Sequence, residues 1–466
     1  MRCAFMLESI LRVFRIPELR TKILFTALLL VACRVGTFIS VPGIDAEMAL
    51  QYFKTHLGLG QSLFQLVDVF SGGAFAQMTI AALGVMPYIS ASIIMQLMVA
   101  VMPSLQREIK ENAEYGKRKM GRWTRLMTLA LALFQSGLFA RYALMMDRDF
   151  PGIVSPQVLD MTFMGLPWVF YLTVMTTMAT GTLLLMWVGE QITERGIGNG
   201  MSLIISVNIL SSIPSTLWRM VGQLNLDSQE PGQLSLTSFV LLMAIFVAVT
   251  AAVIQLSQAQ RKIAIQYSRR VSSAGQMSMQ TGSSFLPLKL NFAGVIPVIF
   301  ASTLLMFPAT IGQFLSKDSF LSSAASMLSP GSWLHSLFYV VLIIFFSYFW
   351  TATQFNPEQI ASDMKKSGAF IAGIRQGKAT QDYLSHAMSK ITLMGALSLA
   401  AIAIFPTVLS RLLSVDQGIS HFFGGTSLLI MVGVILDTMK QVESHMMMKR
   451  YEGFMRRSRP KLFKSS

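Results

Sequence analysis

Ser62-Leu63-Phe64-Gln65-Leu66-Val67-Asp68-Val69-Phe70 is a short apolar stretch, cut by Ser71-Gly72-Gly73 and followed by an apolar run from Phe75 to Met102. A helix rises about 1.5 Å per residue and about 20 residues cross a bilayer. The first piece is too short to span, and the second is long enough. The first piece is therefore expected to dip into the membrane without crossing it. Irregular backbone at membrane depth survives only where protein or a water-filled cavity satisfies its polar groups. The Ser-Gly-Gly break thus points to a cavity inside a helix bundle.

The rest of the chain agrees with a membrane setting. Of 466 residues, 53% are hydrophobic and 13% charged, with 33 Met and 32 Phe, and the mean hydropathy is +0.55. That is the composition of a polytopic membrane protein, not of a soluble domain. Ten stretches are long and apolar enough to cross: Ile23 to Val41, Phe75 to Met102, Trp123 to Ala143, Met164 to Val188, Met201 to Trp218, Leu236 to Ile254, Phe292 to Phe314, Leu334 to Thr353, Met388 to Leu409 and Phe422 to Gln441.

The net charge of +15 invites a nucleic-acid reading, but its distribution is a topology signal. Counted with the span ends that adjoin them, the N-terminus, the loops after spans 2, 4, 6 and 8, and the C-terminal tail hold 31 Lys and Arg, against 6 for the alternate loops and Arg34 in span 1. The positive-inside rule then puts both termini in the cytoplasm. The basic N-terminus precedes a run of span length with no A-x-A site, so span 1 is expected to stay in the mature protein. Two cysteines, Cys3 and Cys33, offer neither a disulfide framework nor a CxxC metal pair.

Five spans precede the polar external segment 219–235 and five follow it. The expected organisation is an N-terminal half over 1–218, a hinge at 219–235, a C-terminal half over 236–441 and a basic tail over 442–466. Halves with an odd number of spans must lie in opposite orientation, as in many transporters. Two cytoplasmic loops, 255–291 and 354–387, are longer than a bundle needs, and such loops usually carry function. In the first, Ile263, Ile265 and Tyr267 alternate at period two between Arg261-Lys262 and Arg269-Arg270, which suggests a β-ribbon with basic ends for docking an acidic partner. In the second, Lys365, Lys366, Arg375 and Lys378 surround Gly368, Gly373 and Gly377, consistent with a projecting tip.

No motif offers enzymatic chemistry. Walker, HExxH, EF-hand and GxSxG patterns are missing, and the five histidines lack ligand spacing. Gly196-Ile197-Gly198-Asn199-Gly200 looks like a phosphate loop only superficially, because it follows a membrane span instead of a strand; it reads as a tight cytoplasmic turn. Arg34 and Asp437 lie toward span ends, and Gln96, Asn208 and Asn291 are candidates for cavity or interhelix contacts.

At this point the residues resemble a known family, that of SecY, the central channel subunit of the bacterial Sec protein translocase. The likeness covers nearly the whole chain. It is carried by Phe70-Ser71-Gly72-Gly73-Ala74, by Ala82-Leu83-Gly84-Val85-Met86-Pro87-Tyr88-Ile89-Ser90-Ala91-Ser92, and by Gly189-Glu190-Gln191-Ile192-Thr193-Glu194-Arg195-Gly196-Ile197-Gly198-Asn199-Gly200. Leu286-Pro287-Leu288-Lys289, Ala293-Gly294-Val295-Ile296-Pro297, Phe307-Pro308-Ala309-Thr310-Ile311, Lys365-Lys366-Ser367-Gly368-Ala369-Phe370 and Gly424-Gly425-Thr426-Ser427 follow in order.

The resemblance implies an all-α membrane protein of ten transmembrane helices, in two inverted five-helix halves around a central pore. The half-helix becomes a plug (Ser62, Leu63, Phe64, Leu66, Val67, Asp68 and Phe70, with Gly72 and Gly73 as its joint), closing an hourglass pore. The family's constriction ring maps onto Val85, Ile89, Met201, Ile205, Ile299 and Ile430. Spacing supports this in part, since Val85 with Ile89 and Met201 with Ile205 are i,i+4 pairs on one face. An aliphatic ring blocks ions by dewetting yet yields around a polypeptide, and flexible Met suits such a gasket. A lateral gate is implied between Ser90 to Gln96 and Ile299 to Phe307, with Pro87 and Pro297 placed to bend both helices.

The implied activity is translocation of signal-bearing polypeptides and lateral release of hydrophobic segments into the cytoplasmic (inner) membrane. The implied partners are SecE-like and SecG-like small subunits, the SecA motor ATPase, the ribosome, translocating preproteins and anionic lipids, with ribosomal RNA as the only nucleic acid touched. No cofactor, metal or catalytic residue is implied. Docking would fall to Arg261, Lys262, Arg269, Arg270 and Arg375. Three positions depart from the family pattern: the Leu256 to Gln260 run, Ser40 in place of a common proline, and Asp68 in place of a common asparagine. The alternative is an ion-coupled secondary transporter with inverted repeats, which would need ligands near the midplane where this chain has aliphatic residues.

Overall fold

The computed structural model describes residues 16–56, 62–102, 104–105, 108, 113–159, 167–222, 236–267, 284–314, 332–413 and 425–457. Each of the ten stretches expected to span carries helix. Among the described residues six helices are long and apolar enough to cross a membrane, and Met86–Val101 and Ile296–Leu305 are shorter apolar helices. The chain divides into two compact units, Met1–Val221 with Ile430–Ser466, and Gly222–Leu429.

The first unit begins with α1 (Pro17–Gly36), α2 (Ala46–His56) and the half-helix α3 (Ser62–Ser71). Next come α4 (Met86–Val101), α5 (Ala113–Asp149), α6 (Trp168–Arg195), α7 (Gly200–Ser211) and α8 (Ile213–Gly222). Its core joins α2, the segment after α3, α5 and α6 around Phe53, Phe75, Phe139, Met146 and Phe170. The rings of Phe53 and Phe75 meet edge-on at 5.8 Å, and those of Phe75 and Phe139 at 5.2 Å. Asp45 caps α2 by accepting from Glu47 N and Met48 N. Burial, reinforced by the Asp149 carboxylate, holds the Tyr52 phenol above its ordinary pKa.

The expected second span is corrected here. Residues 72–85 form turns, and helix starts only at Met86. Met78 has φ 49° and Gly84 φ 55°, both outside the helical region. Pro87 then sits in the first helical turn, where its missing N–H costs nothing. It starts the helix and does not bend it. The turn segment hands its backbone groups to protein partners: Ile80 N donates to Ile39 O at 2.9 Å, and Val41 N to Met78 O at 3.2 Å. It also lies hard against α6, because a Cβ at Gly181 would collide with the Ile80 carbonyl. This is how irregular backbone is satisfied at membrane depth.

The second unit opens with α9 (Leu236–Gln258), followed by strands β1 (Gln260–Tyr267) and β2 (Ser284–Lys289). Then come α10 (Ile296–Phe314), α11 (Trp333–Gln354), α12 (Pro357–Lys366), β3 (Ala369–Ile371) and α13 (Lys378–Leu413). The final helix, α14 (Thr426–Arg457), belongs to the first unit from Ile430 onward. The all-α expectation needs one addition, a three-stranded sheet in the order β2-β1-β3. Lys262 pairs with Pro287, and Ile265 with Ile371. The two long loops therefore form one sheet instead of two independent projections. Its inner face, with Ile263, Ile265, Leu288 and Ile371, packs with Met364, Leu384 and Met388.

Span 7 repeats the correction made for span 2. Gly294 has φ 65°, and helix begins at Ile296 with Pro297 in its first turn. Gly84-Val85-Met86-Pro87 and Gly294-Val295-Ile296-Pro297 are thus one local design used twice. The likeness extends further. Four residues before each leading glycine, the carbonyls of Ile80 and Leu290 press on glycines of the fourth and ninth spans, Gly181 and Gly395.

Candidate functional site: the half-helix and its surroundings

α3 ends as a short-range glycine cap dictates. Gly73 N donates to Asp68 O at 2.9 Å and Gly72 N to Val69 O at 3.3 Å, with Gly72 at φ 72°. Asp68 Oδ1 accepts from Ala76 N at 2.9 Å, and Ser71 Oγ from Phe75 N at 3.0 Å, so the helix is stitched to the turn that follows. The Asp68 side chain is committed to backbone, and any oxygen acceptor there preserves that bond. Of Ser62, Leu63, Phe64 and Leu66, expected in the plug, the structure describes the helix but not the side chains. Val67 is half-buried and packs against the aromatic core, and Phe70 is buried.

α7 packs against α3. Met201, Ile205 and Asn208 recur at helical spacing on α7, and all three are buried. Val85 stands at the N-cap of α4 and accepts from Ile89 N, and both side chains are buried, as is Ile430 on α14. In the second unit Ile299 is buried in the first turn of α10. Five of the six aliphatic positions therefore lie in one unit and one in the other.

The residues expected at the gate and the docking surface lie on several elements of both units. Ser90 is buried and donates to Met86 O at 3.0 Å. Gln96 donates to Ser92 Oγ, while its Oε1 is buried with no partner among the described residues. The Phe307 side chain lies outside the described residues. Arg261 and Lys262 are exposed on β1; Arg269 and Arg270 lie outside the described residues. Arg375 is exposed beside Ile374, whose side chain packs toward the sheet's core.

The glycine-rich turn from Gly196 to Gly200 commits the N–H groups of all three of its glycines and of Ile197 to protein acceptors, and Gly196 N donates to Ile192 O. Ile197 N donates to Thr26 Oγ1 at 3.2 Å, Gly198 N to Gln441 Oε1 at 2.9 Å and Gly200 N to Thr193 Oγ1 at 2.9 Å. Asn199 caps α7. The turn is a joint that ties α1, α6, α7 and α14 together.

Sequence reasoning did not connect two of its polar residues to the half-helix. Arg34 Nη1 donates to Gly72 O, and Asn208 Nδ2 to Phe70 O, each at 3.0 Å. Their signal was polarity inside apolar spans, read for Asn208 as a cavity or interhelix contact and for Arg34 only as a place toward a span end.

A family model described as SecY matches residues 79–439. The chain belongs to the SecY family. Protein translocase subunit SecY of Chlamydia trachomatis serovar D is 58% identical over 456 residues, covering 98% of this chain and 99% of that one. Two solved structures share the SecY-type fold. One, described as the structure of a protein conducting channel, matches with a TM-score of 0.61 at 19% identity, over 95% of this chain and 94% of that one. The other, Sec61 in the canine ribosome-channel complex from the endoplasmic reticulum, gives 0.59 at 18% identity with the same coverage. The ten-helix, two-half architecture and the multi-pass membrane character fit this family.

Proposed function

We propose that this chain is the channel subunit of a Sec-type protein translocase, passing signal-bearing polypeptides across a membrane and releasing apolar segments sideways into it. The observation that carries this reading is the 58% identity to a protein translocase subunit SecY along essentially the full length of both chains. The residues suit the task. α3 is the plug, and Val85, Ile89, Met201, Ile205, Ile299 and Ile430 form an aliphatic gasket that excludes water and ions by dewetting while deforming around a peptide. Ser90 to Gln96 and the stretch from Ile299 to Phe307 are the two sides of the lateral gate; of the hinge expected over 219–235, residues 223–235 lie outside the described residues.

The exposed cations Arg261, Lys262 and Arg375, with Arg269 and Arg270, dock the partner that supplies energy, a SecA-type motor or the ribosome. SecE-like and SecG-like subunits complete the assembly in the cytoplasmic membrane, with both termini cytoplasmic by the Lys and Arg bias. A polypeptide arrested midway tests the pore. Photo-crosslinkers at Ile205 and Ile430 are expected to capture it, while one at exposed Leu172 is expected to capture lipid. Capture at Leu172 alone would overturn the assignment.

A further inference from the structure

We propose that Arg34 and Asn208 are positioning residues that latch the plug in its seat and so set how readily the channel opens and which polypeptides open it. The inference rests on the reading of α3 as the plug.

A helix leaves its last carbonyls without intrahelical partners. In α3 the glycine cap serves two of them internally, Asp68 O and Val69 O. The carbonyls of Phe70 and Gly72 are instead served by side chains from outside, Asn208 on α7 and Arg34 on α1. The two sets differ in what happens when α3 moves. The cap bonds, together with the Asp68–Ala76 and Ser71–Phe75 bonds, lie within residues 68–76. The Arg34 and Asn208 bonds tie this segment to separate helices, so lifting α3 with its cap breaks them.

The seat is built for close approach. A Cβ at Gly72 would collide with Arg34 Nη1 and stand 3.1 Å from Asn208 Cα. Gly72 is therefore more than a flexible joint; its bare Cα lets both donors reach the backbone. Gly73, also at positive φ, has nothing within 4 Å of the same point and serves the turn alone. The Phe38 ring lies 5.7 Å from the Arg34 guanidinium carbon, which limits where that group can swing. A cation at a helix C-terminus also meets the negative end of the helix dipole. Asn208 is buried, so its amide has no water to turn to once Phe70 leaves.

The test uses the full chain in proteoliposomes, with ion leak and acceptance of a polypeptide lacking a signal sequence as readouts. Asn208→Ala is expected to raise resting leak roughly tenfold and Arg34→Gln by more, since bonds to charged donors are the stronger ones. Arg34→Lys, which keeps the cation, is expected to fall between Arg34→Gln and wild type. Each substitution is repeated in a chain lacking residues 62–70. There no plug remains to be held in its seat, and neither substitution is expected to add leak. Asn208→Ala changes no charge, so a folding failure of Arg34→Gln leaves the test standing. Wild-type leak in Asn208→Ala, or an equal increase in the plugless chain, would overturn the latch. A plugless chain that stays ion-tight would overturn the plug assignment itself.

Discussion

Gly189 on α6 makes room for Met201 on α7: a Cβ at Gly189 would stand 2.6 Å from the Met201 sulfur and 2.9 Å from its terminal methyl. The obstructing atoms are the far end of a flexible side chain, which can swing aside at little cost. Gly189→Ala is therefore expected to fold with a melting temperature near wild type while displacing Met201 from the proposed gasket. Single-channel recording is expected to show raised ion leak. Gly200→Ala gives the contrasting outcome. Its Cβ would meet the Gly189 carbonyl, a backbone atom that cannot step aside. That variant is expected to lose about 1–3 kcal/mol of stability.

The paired backbone contacts make a second prediction. Gly181→Ala drives a methyl into the Ile80 carbonyl and Gly395→Ala drives one into the Leu290 carbonyl. Both are expected to destabilise the chain by about 1–3 kcal/mol, read as earlier thermal unfolding in detergent. Gly121→Ala, with nothing within 4 Å of its Cβ, is the control and is expected to leave the melting temperature unchanged or slightly raised.

The glycine-rich turn is sensitive to losing its side-chain acceptors. Thr26→Val removes the acceptor for Ile197 N and Gln441→Leu the one for Gly198 N. Ile197 and Gly198 are buried, so water does not replace the lost partner. Each change is expected to cost about 1–3 kcal/mol. Faster proteolysis of the α6–α7 turn would report the loss, and unchanged cleavage of both variants would count against the joint.

The apolar spacing made the bundle, the half-helix and the basic loops legible. Periodicity, however, does not report which apolar residues form helix. The run from Phe75 to Met102 read as one span because no residue pattern displays the positive φ of Met78 and Gly84. Pro87 and Pro297 were legible as punctuation, but proline marks a start and a bend alike until the conformation of the preceding glycine is known. The β-ribbon in the first long loop was visible from Ile263 and Ile265. Its pairing with Ala369–Ile371 was not, because about 100 residues separate the partners and strand pairing leaves no local trace at that range. Arg34 and Asn208 were visible as polar residues, and only the fold brings their donors to Phe70 and Gly72.

Arg375 separates docking from folding. Its side chain is exposed beside the inward Ile374. Arg375→Glu is expected to leave thermal stability within about 0.5 kcal/mol of wild type while abolishing motor-driven transport. Ile374→Asp is expected to do the reverse first, by unfolding the sheet. Equal transport by Arg375→Glu and wild type would remove Arg375 from the docking surface.

Cysteines at Ser90 and Phe307 test the lateral gate. Oxidative closure is expected to stop insertion of apolar segments, and reduction to restore it. Undiminished insertion with the crosslink formed would sink the assignment of these two stretches.

Reconstitution tests the central claim most directly. The chain is placed in proteoliposomes with SecE-like and SecG-like subunits, a SecA-type motor, ATP and a signal-bearing polypeptide, and external protease is then added. Protection of the polypeptide that depends on both ATP and the signal is the expected result. Complete digestion, with all components assembled, would contradict the reading of this chain as a protein-conducting channel.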